Sequence, residues 1–291
     1  MYKDSSFYCT VSRENNDIKK LRVNRDIQEK LVEIFSEKSE ELLDDSIEYI
    51  EFDGRYKPGK NEILYIKDFN LPESIKKAVE TPTSTEELRP KDNKNEKINA
   101  IFTGKKCDQN GYNVAFQNIL PNQIITSAGF GLIFSNNSFN KINNLALSIK
   151  EQVDCVYKNN NLYFSSYWVA RQIFDLADYY EIATDGELSN FIKRDVLSTE
   201  NESSFFENAD TWVRRKVALI EDGKVLEKYS PYEIKKIAEE HDVDLNIIED
   251  EKILVPEDKR ELKELLRFLD EDIYKGPFSN NTYVTNSKRK M

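Results

Sequence analysis

Two short alternating runs, Val153–Tyr157 and Leu162–Phe164, are separated by Lys158-Asn159-Asn160-Asn161. No other arrangement in the chain restricts the fold as much. Asparagine tolerates left-handed backbone angles, so the runs read as two strands joined by a tight turn. Ser165-Ser166 can then cap a helix starting at Tyr167, on which Trp168, Ile173, Leu176, Ala177 and Tyr180 recur at three- and four-residue spacings. Thr184 and Glu187 are spaced as a capping box for a second helix. A hairpin that feeds helices, with aromatics on each, is a nucleus for a core. It names no chemistry.

The rest of the chain follows a similar grammar. Strands are expected at Ser6–Val11, Ile47–Phe52, Glu62–Lys67, Asn99–Thr103 and Tyr112–Asn118, and an amphipathic helix over Asp26–Leu43. Residues 80–97 carry two prolines and almost nothing apolar, which reads as a linker or loop. Phe139–Ile149 reads as a short helix, and 197–210 as a polar loop. Asp222-Gly223 between the apolar runs Val217–Ile220 and Val225–Lys228 reads as a hairpin turn, with Arg214-Arg215-Lys216 at the entrance to its first strand. Ser230-Pro231 starts a helix to Glu240, short strands follow at Val243–Ile248 and Lys252–Val255, and Glu257–Ile273 forms a leucine-striped helix. Adjacent strands with short turns and irregular helices imply an α+β fold with mostly antiparallel sheets and packed helices. Two domains are expected, an N-terminal α+β domain over 1–95 and a second over 96–291.

Composition removes several functions. The formal charge is −11, so any contact with nucleic acid or anionic membrane must use a local basic patch. Cys9, Cys107 and Cys155 are too dispersed for a disulfide framework or zinc knuckle, and fit a reducing compartment. The start has no signal-peptide pattern and no run is long enough to span a membrane, so a cytosolic protein is expected, with any membrane association running through a partner. His241 is the one histidine, which leaves no His-rich metal site and no GxSxG-type triad. Gly129 and Gly131 lack the rest of a phosphate-loop pattern, and packing glycines explain them better.

Two sets of charged residues could carry chemistry. Asp175, Asp178 and Glu181 recur every three residues on the helix after the hairpin and could hold Mg²⁺ for phosphodiester cleavage, while Glu261-Leu262-Lys263 resembles the end of a nuclease motif placed on a helix. Solvated helix faces account for both sets more often than catalysis does. The cationic set is Arg171, Lys193, Arg194, Arg214, Arg215, Lys216, Lys288, Arg289 and Lys290, with Trp212 and Tyr283 nearby. Such groups beside aromatics and amides suit phosphate contact and base stacking, and ordinary surface ion pairing is the competing explanation.

The second half carries a resemblance. VDCVYKNNNLYFSSYWVARQIFDLADYYEIATD, WVRRKVALIEDGKVLEK and KRELKELLRFLDEDIYKGPFSNNTYVTNSKR resemble the DUF4868 family, which includes KwaB-like proteins of the Kiwa anti-phage defence system. The similarity covers roughly residues 115–290. It implies a DNA-binding effector that blocks phage replication and transcription, forms a homo-oligomer (dimer or tetramer) and assembles with a KwaA-like membrane protein. It implies no cofactor and no catalytic signature. The nine cations above are then the expected DNA contacts, chosen by charge and by position in the matching segments. Two other readings stay open: a Mg²⁺-dependent nuclease, and a protein-binding module using the acidic helix end at Glu37–Asp45.

Overall fold

A strand with apolar residues on both faces must be covered twice. The chain meets that demand with an α+β architecture. The computed structural model describes residues 1–11, 17–89, 98–107, 111–125, 132–135, 137–141, 146–248 and 252–289. Gly129, Gly131 and Lys290 lie outside them. The chain divides into two compact units, residues 1–52 with 57–176, and residues 53–56 with 177–291.

Unit one contains, in order, β1 (Phe7–Thr10), β2 (Ile18–Leu21), α1 (Arg25–Leu42), β3 (Glu48–Glu51), β4 (Glu62–Ile66), α2 (Glu73–Glu80), β5 (Ala100–Lys106), β6 (Tyr112–Asn118), β7 (Ile124–Ile125), β8 (Leu132–Ser135), β9 (Ser138–Lys141), β10 (Ala146–Leu147), β11 (Cys155–Lys158), β12 (Asn161–Phe164) and α3 (Tyr167–Ile173). Eight strands form one sheet in the order β2-β1-β5-β6-β11-β12-β4-β3. Every junction is antiparallel except β3–β4. β5 lies beyond the polar segment expected to divide the chain near residue 95, and it sits beside β1 in this sheet. The β11–β12 turn pairs Lys158 with Asn161. Asn159 and Asn160 both take positive φ, 52° and 62°, the geometry that lets a two-residue turn follow strand twist.

Each face of the sheet has its own cover. Asn24 caps α1 by accepting from the Ile27 amide, and the helix buries Leu31, Phe35 and Leu42 against Phe7, Cys9 and Ile101. The Phe7 and Phe35 rings meet edge to face at 5.2 Å. On the other face Tyr8 stacks on Phe102, Phe102 reaches Phe116, and Phe116 meets Phe174 at 4.9 Å. That last contact ends α3. Phe174 has extended backbone (φ −120°, ψ 152°), which turns its ring onto the sheet and against Phe69. The helix expected to reach Tyr180 therefore stops at Ile173. The described residues of the helix expected over Phe139–Ile149 are not helical: β9 pairs with β8 across Ser135 and Ser138, with Asn137 at φ 64°, and β10 pairs with β7, while 142–145 lie outside the described residues.

Unit two contains α4 (Asp185–Ile192), β13 (Leu197–Ser198), α5 (Glu202–Asn208), α6 (Thr211–Gly223), α7 (Val225–Lys228), α8 (Pro231–Glu240), β14 (Ile247–Ile248), β15 (Lys252–Leu254), α9 (Lys259–Leu269), β16 (Ile273–Lys275) and β17 (Thr282–Val284). Its core joins Leu188, Phe191, Phe205, Val213, Val217 and the α9 leucines 262, 265, 266 and 269. β13, β15 and β14 form a small sheet, and β16–β17 is a separate antiparallel hairpin. The capping boxes Thr184–Glu187 and Ser230–Glu233 are both formed.

One expectation here is overturned with consequences for function. Residues 211–228 are two helices, not a strand–turn–strand hairpin. Asp210 caps α6 through the Val213 amide, and Val213, Val217 and Ile220 are buried at helical spacing. Gly223 ends that helix, and Lys224 turns the chain with φ 56°. The expected loop at 197–210 likewise holds β13 and α5, the latter capped by Asn201.

A candidate nucleic-acid interface

Side chains that follow one another on a strand point to two faces, but on a helix they fan out by about 100° each. Arg214, Arg215 and Lys216 lie on α6, so each meets a different environment. Arg214 donates to the Ala209 and Ala183 carbonyls and pairs with Asp185 at 2.5 Å. Arg215 is 6% exposed, and its guanidinium donates to the Glu181 and Asp53 carbonyls at 2.7 and 3.0 Å. The Tyr180 ring covers it at 4.3 Å. Burial pushes its pKa down, opposed by Tyr180 and Glu181. Gly54, at φ 74°, makes room for it: a Cβ there would collide with Nη2.

Lys216 turns toward two buried carboxylates. It binds Asp270 at 2.5 Å and also Asp272, whose side chains are 4% and 5% exposed. Lys288 reaches the same pair at 3.3 and 3.0 Å. Two lysines and two aspartates thus form a closed quartet, which is what makes burial of the carboxylates tolerable.

The remaining expected contacts are spread out. Arg194 pairs with Glu221 and, at 3.1 Å, with Glu227. Lys193 is exposed at the end of α4 and has no carboxylate partner among the described residues. Arg171 belongs to unit one, exposed on α3 with its guanidinium 5.1 Å from the Trp168 ring. Arg289 lies over the Tyr56 ring at 5.3 Å.

The structure assembles a cationic cluster that the sequence reading did not single out. Lys259, Lys263 and Arg267 follow one another at four-residue spacing along α9. The half-buried Trp212 ring has Lys263 at 5.1 Å, Arg267 at 5.4 Å and Lys216 at 5.7 Å from its centroid. Lys259 and Lys263 both bind Asp210, at 3.1 and 3.0 Å. Burial pushes the Asp210 carboxyl up, but the Val213 amide and the two lysines outweigh it and hold the pKa at about 2. Arg267 has no carboxylate partner among the described residues. Five cations here (Lys216, Lys259, Lys263, Arg267, Lys288) share three carboxylates, leaving positive charge around an aromatic ring. The i, i+4, i+8 basic spacing on α9 is its signal in the sequence, overlain there by the leucine stripe of the same helix.

The carboxylates expected for metal do not line up. Asp175 follows the end of α3, Asp178 sits in a short 3-10 turn and Glu181 beyond it, so the one-helix row does not exist. Glu261 occupies the first turn of α9, as expected. Among the described residues no three His, Cys, Asp or Glu side chains are placed to hold a metal ion. His241 ends α8, with Nδ1 2.9 Å from the Ile237 carbonyl. No helix among the described residues is long and apolar enough to cross a membrane.

No curated protein and no solved structure matches the chain. A family model described as "Kiwa protein KwaB-like" matches residues 105–278, well over half the length. The chain belongs to the KwaB-like family of Kiwa proteins.

Proposed function

We propose that this chain is an anti-phage defence effector that binds DNA through unit two and, by occupying it, blocks replication and transcription of the invading genome. Family membership supports the defence role and association with Kiwa partners such as a KwaA-like membrane protein. Self-assembly into a homo-oligomer belongs to the same proposal and would multiply weak contacts along one duplex. The observation that carries DNA binding is the Trp212 ring surrounded by Lys216, Lys263 and Arg267. Arginine and lysine heads beside an aromatic face suit the phosphates and bases of a nucleic acid.

The net charge of −11 makes this contact local and sensitive to salt. Arg267 and Lys193 can meet phosphate without breaking an ion pair. Arg194, Arg214, Lys216 and Lys288 would first have to exchange carboxylate partners. Fluorescence anisotropy with a labelled duplex, read over a salt series, tests the reading. Binding should weaken steeply with salt, and the double variant Lys263→Ala, Arg267→Ala should lower the log–log slope by about 2, near 0.9 for each phosphate that is no longer neutralised. Absence of binding at the lowest salt, or an unchanged slope in the double variant, would refute it.

A further inference from the structure

We propose that the β16–β17 hairpin is a base-stacking finger, with Phe278 at its tip as the wedge that enters the DNA stack. This rests on the DNA-binding reading above and adds a mode of contact to it. Phe278 is fully exposed, at 102% of the reference value, the extreme among the large hydrophobic side chains of the described residues. Exposed rings are common on mobile loops, but this one is held by a built turn. The Gly276 amide donates to the Asn281 carbonyl and the Asn280 amide to the Gly276 carbonyl, at 3.0 and 2.9 Å. The Ser279 hydroxyl meets the Tyr283 hydroxyl at 3.2 Å and accepts from the Asn281 amide at 3.3 Å. Tyr283 in turn stacks on Tyr274 across the hairpin at 5.5 Å. A Cβ at Gly276 would lie 2.9 Å from the Tyr283 ring, so the turn closes tightly on that stack. The hydrogen bonds fix the turn while its one phenyl ring projects into water.

Charge and chemistry favour nucleic-acid bases as the occupant. One residue in three of this chain is charged, yet residues 276–287 carry no charge at all. In an acidic protein that interval adds no carboxylate of its own, and Asp242, which reaches it at Thr282, is paired with Lys275 at 3.1 Å. Lys275 stands at one root of the finger and Lys288 and Arg289 at the other. Lys288 joins the Asp270–Asp272 quartet, which also holds Lys216 beneath Trp212. The finger and the Trp212 cluster therefore grow from one rigid base. A fully exposed tip ring flanked by proline and by hydroxyl and amide side chains, and backed by the half-exposed Tyr274–Tyr283 stack, is the form of side chain that unstacks a base step and kinks a duplex. An interfacial membrane anchor would place cations beside its ring rather than at the roots.

The test uses full-length protein and duplexes carrying 2-aminopurine at successive steps, whose fluorescence rises when a neighbouring base unstacks. The wild type and Phe278→Trp should raise the signal on binding. Phe278→Ala should bind about tenfold more weakly with no rise. The side chain is fully exposed, so its removal leaves the fold intact, which circular dichroism checks. Equal fluorescence and affinity for the wild type and Phe278→Ala would overturn the finger while leaving DNA binding by Trp212, Lys263 and Arg267 in place. Loss of binding to neutral phosphatidylcholine vesicles in Phe278→Ala, without any DNA effect, would assign the ring to lipid and also overturn it. Failure of the wild type to bind any duplex would sink both readings together.

Discussion

Buried polarity is of opposite kinds in the two units. Among the described residues of unit one it is neutral: Ser5, Thr10, Ser39, Asn99, Thr103, Gln117 and Gln123. Thr10, Thr103, Gln117 and Gln123 bond backbone groups and close gaps in the ladder, and Ser39 accepts from the Tyr2 hydroxyl. The Gln117 amide donates to the Lys150 and Gln152 carbonyls and its oxygen accepts from the Lys150 amide. Among the described residues of unit two the buried polar ones are Arg215, Asp270 and Asp272, all of them ionic. A neutral group satisfied by backbone has nothing to offer a charged ligand. A buried ion persists only while specific opposite charges face it, so its partners are fixed in place and in number. Unit two is therefore where the sequence has invested its electrostatics. Asp270 and Asp272 decide how much positive charge stays available around Trp212.

Substitutions can break or sharpen that contrast, and the chain supplies a probe for each side. Its two tryptophans divide between the units, Trp168 in unit one and Trp212 in unit two. Phenylalanine at either position leaves the other as a local reporter of denaturant unfolding. Asp272→Ala should act most strongly, lowering the stability seen by Trp212 by about 4 kcal/mol, because two lysines would then face one buried carboxylate. A loss below about 1 kcal/mol would mean that the quartet is not an ionic core. Gly54→Ala should come next, at about 3 kcal/mol by the same probe, since it combines a positive φ with a Cβ driven into Arg215. Gln117→Ala should lower the Trp168 transition by about 2 kcal/mol through unmet backbone groups. That loss should be insensitive to salt.

The smallest effect has a pH signature. Asp210→Ala should remove about 1 kcal/mol at neutral pH by uncapping α6. The folded pKa of Asp210 is depressed to about 2, so its contribution is complete above the ordinary carboxylate value of about 4 and fades as the pH falls toward 2. The difference between Asp210→Ala and the wild type should narrow across that window. A gap of constant size from pH 7 to pH 2 would show that capping, not charge, carries it.

Local signals were legible wherever they acted within a few residues. The Asn159-Asn160 turn, both capping boxes and the leucine stripe of α9 follow from side chains that meet neighbours three or four positions away. Asp222-Gly223 misled because a glycine that closes a helix and one that turns a hairpin look alike in sequence. The three- and four-residue spacing of Val213, Val217 and Ile220 held the opposite answer. The cluster at Trp212 was harder to read. Lys216 comes from α6 and Lys263 and Arg267 from α9, and only tertiary packing sets them around one ring. The pairing of Lys216 and Lys288 with Asp270 and Asp272 spans 72 residues of chain and has no local signature at all.

The tetrapeptide Asp53–Tyr56 has a practical consequence for anyone dissecting the molecule. It belongs with residues 177–291 although it is encoded far upstream of them. Asp53 lends its carbonyl to Arg215, Arg55 binds Asp222 and the Leu219 carbonyl, and the Arg55 carbonyl accepts from the Lys288 amide. A gene fragment opening at Ala177 would encode every helix of the C-terminal unit and still lack this staple. Trimming the protein with a single cut would leave the buried arginine unseated. A chimaera that grafts residues 53–56 ahead of Ala177 on a flexible tether is the smallest piece with all its own parts.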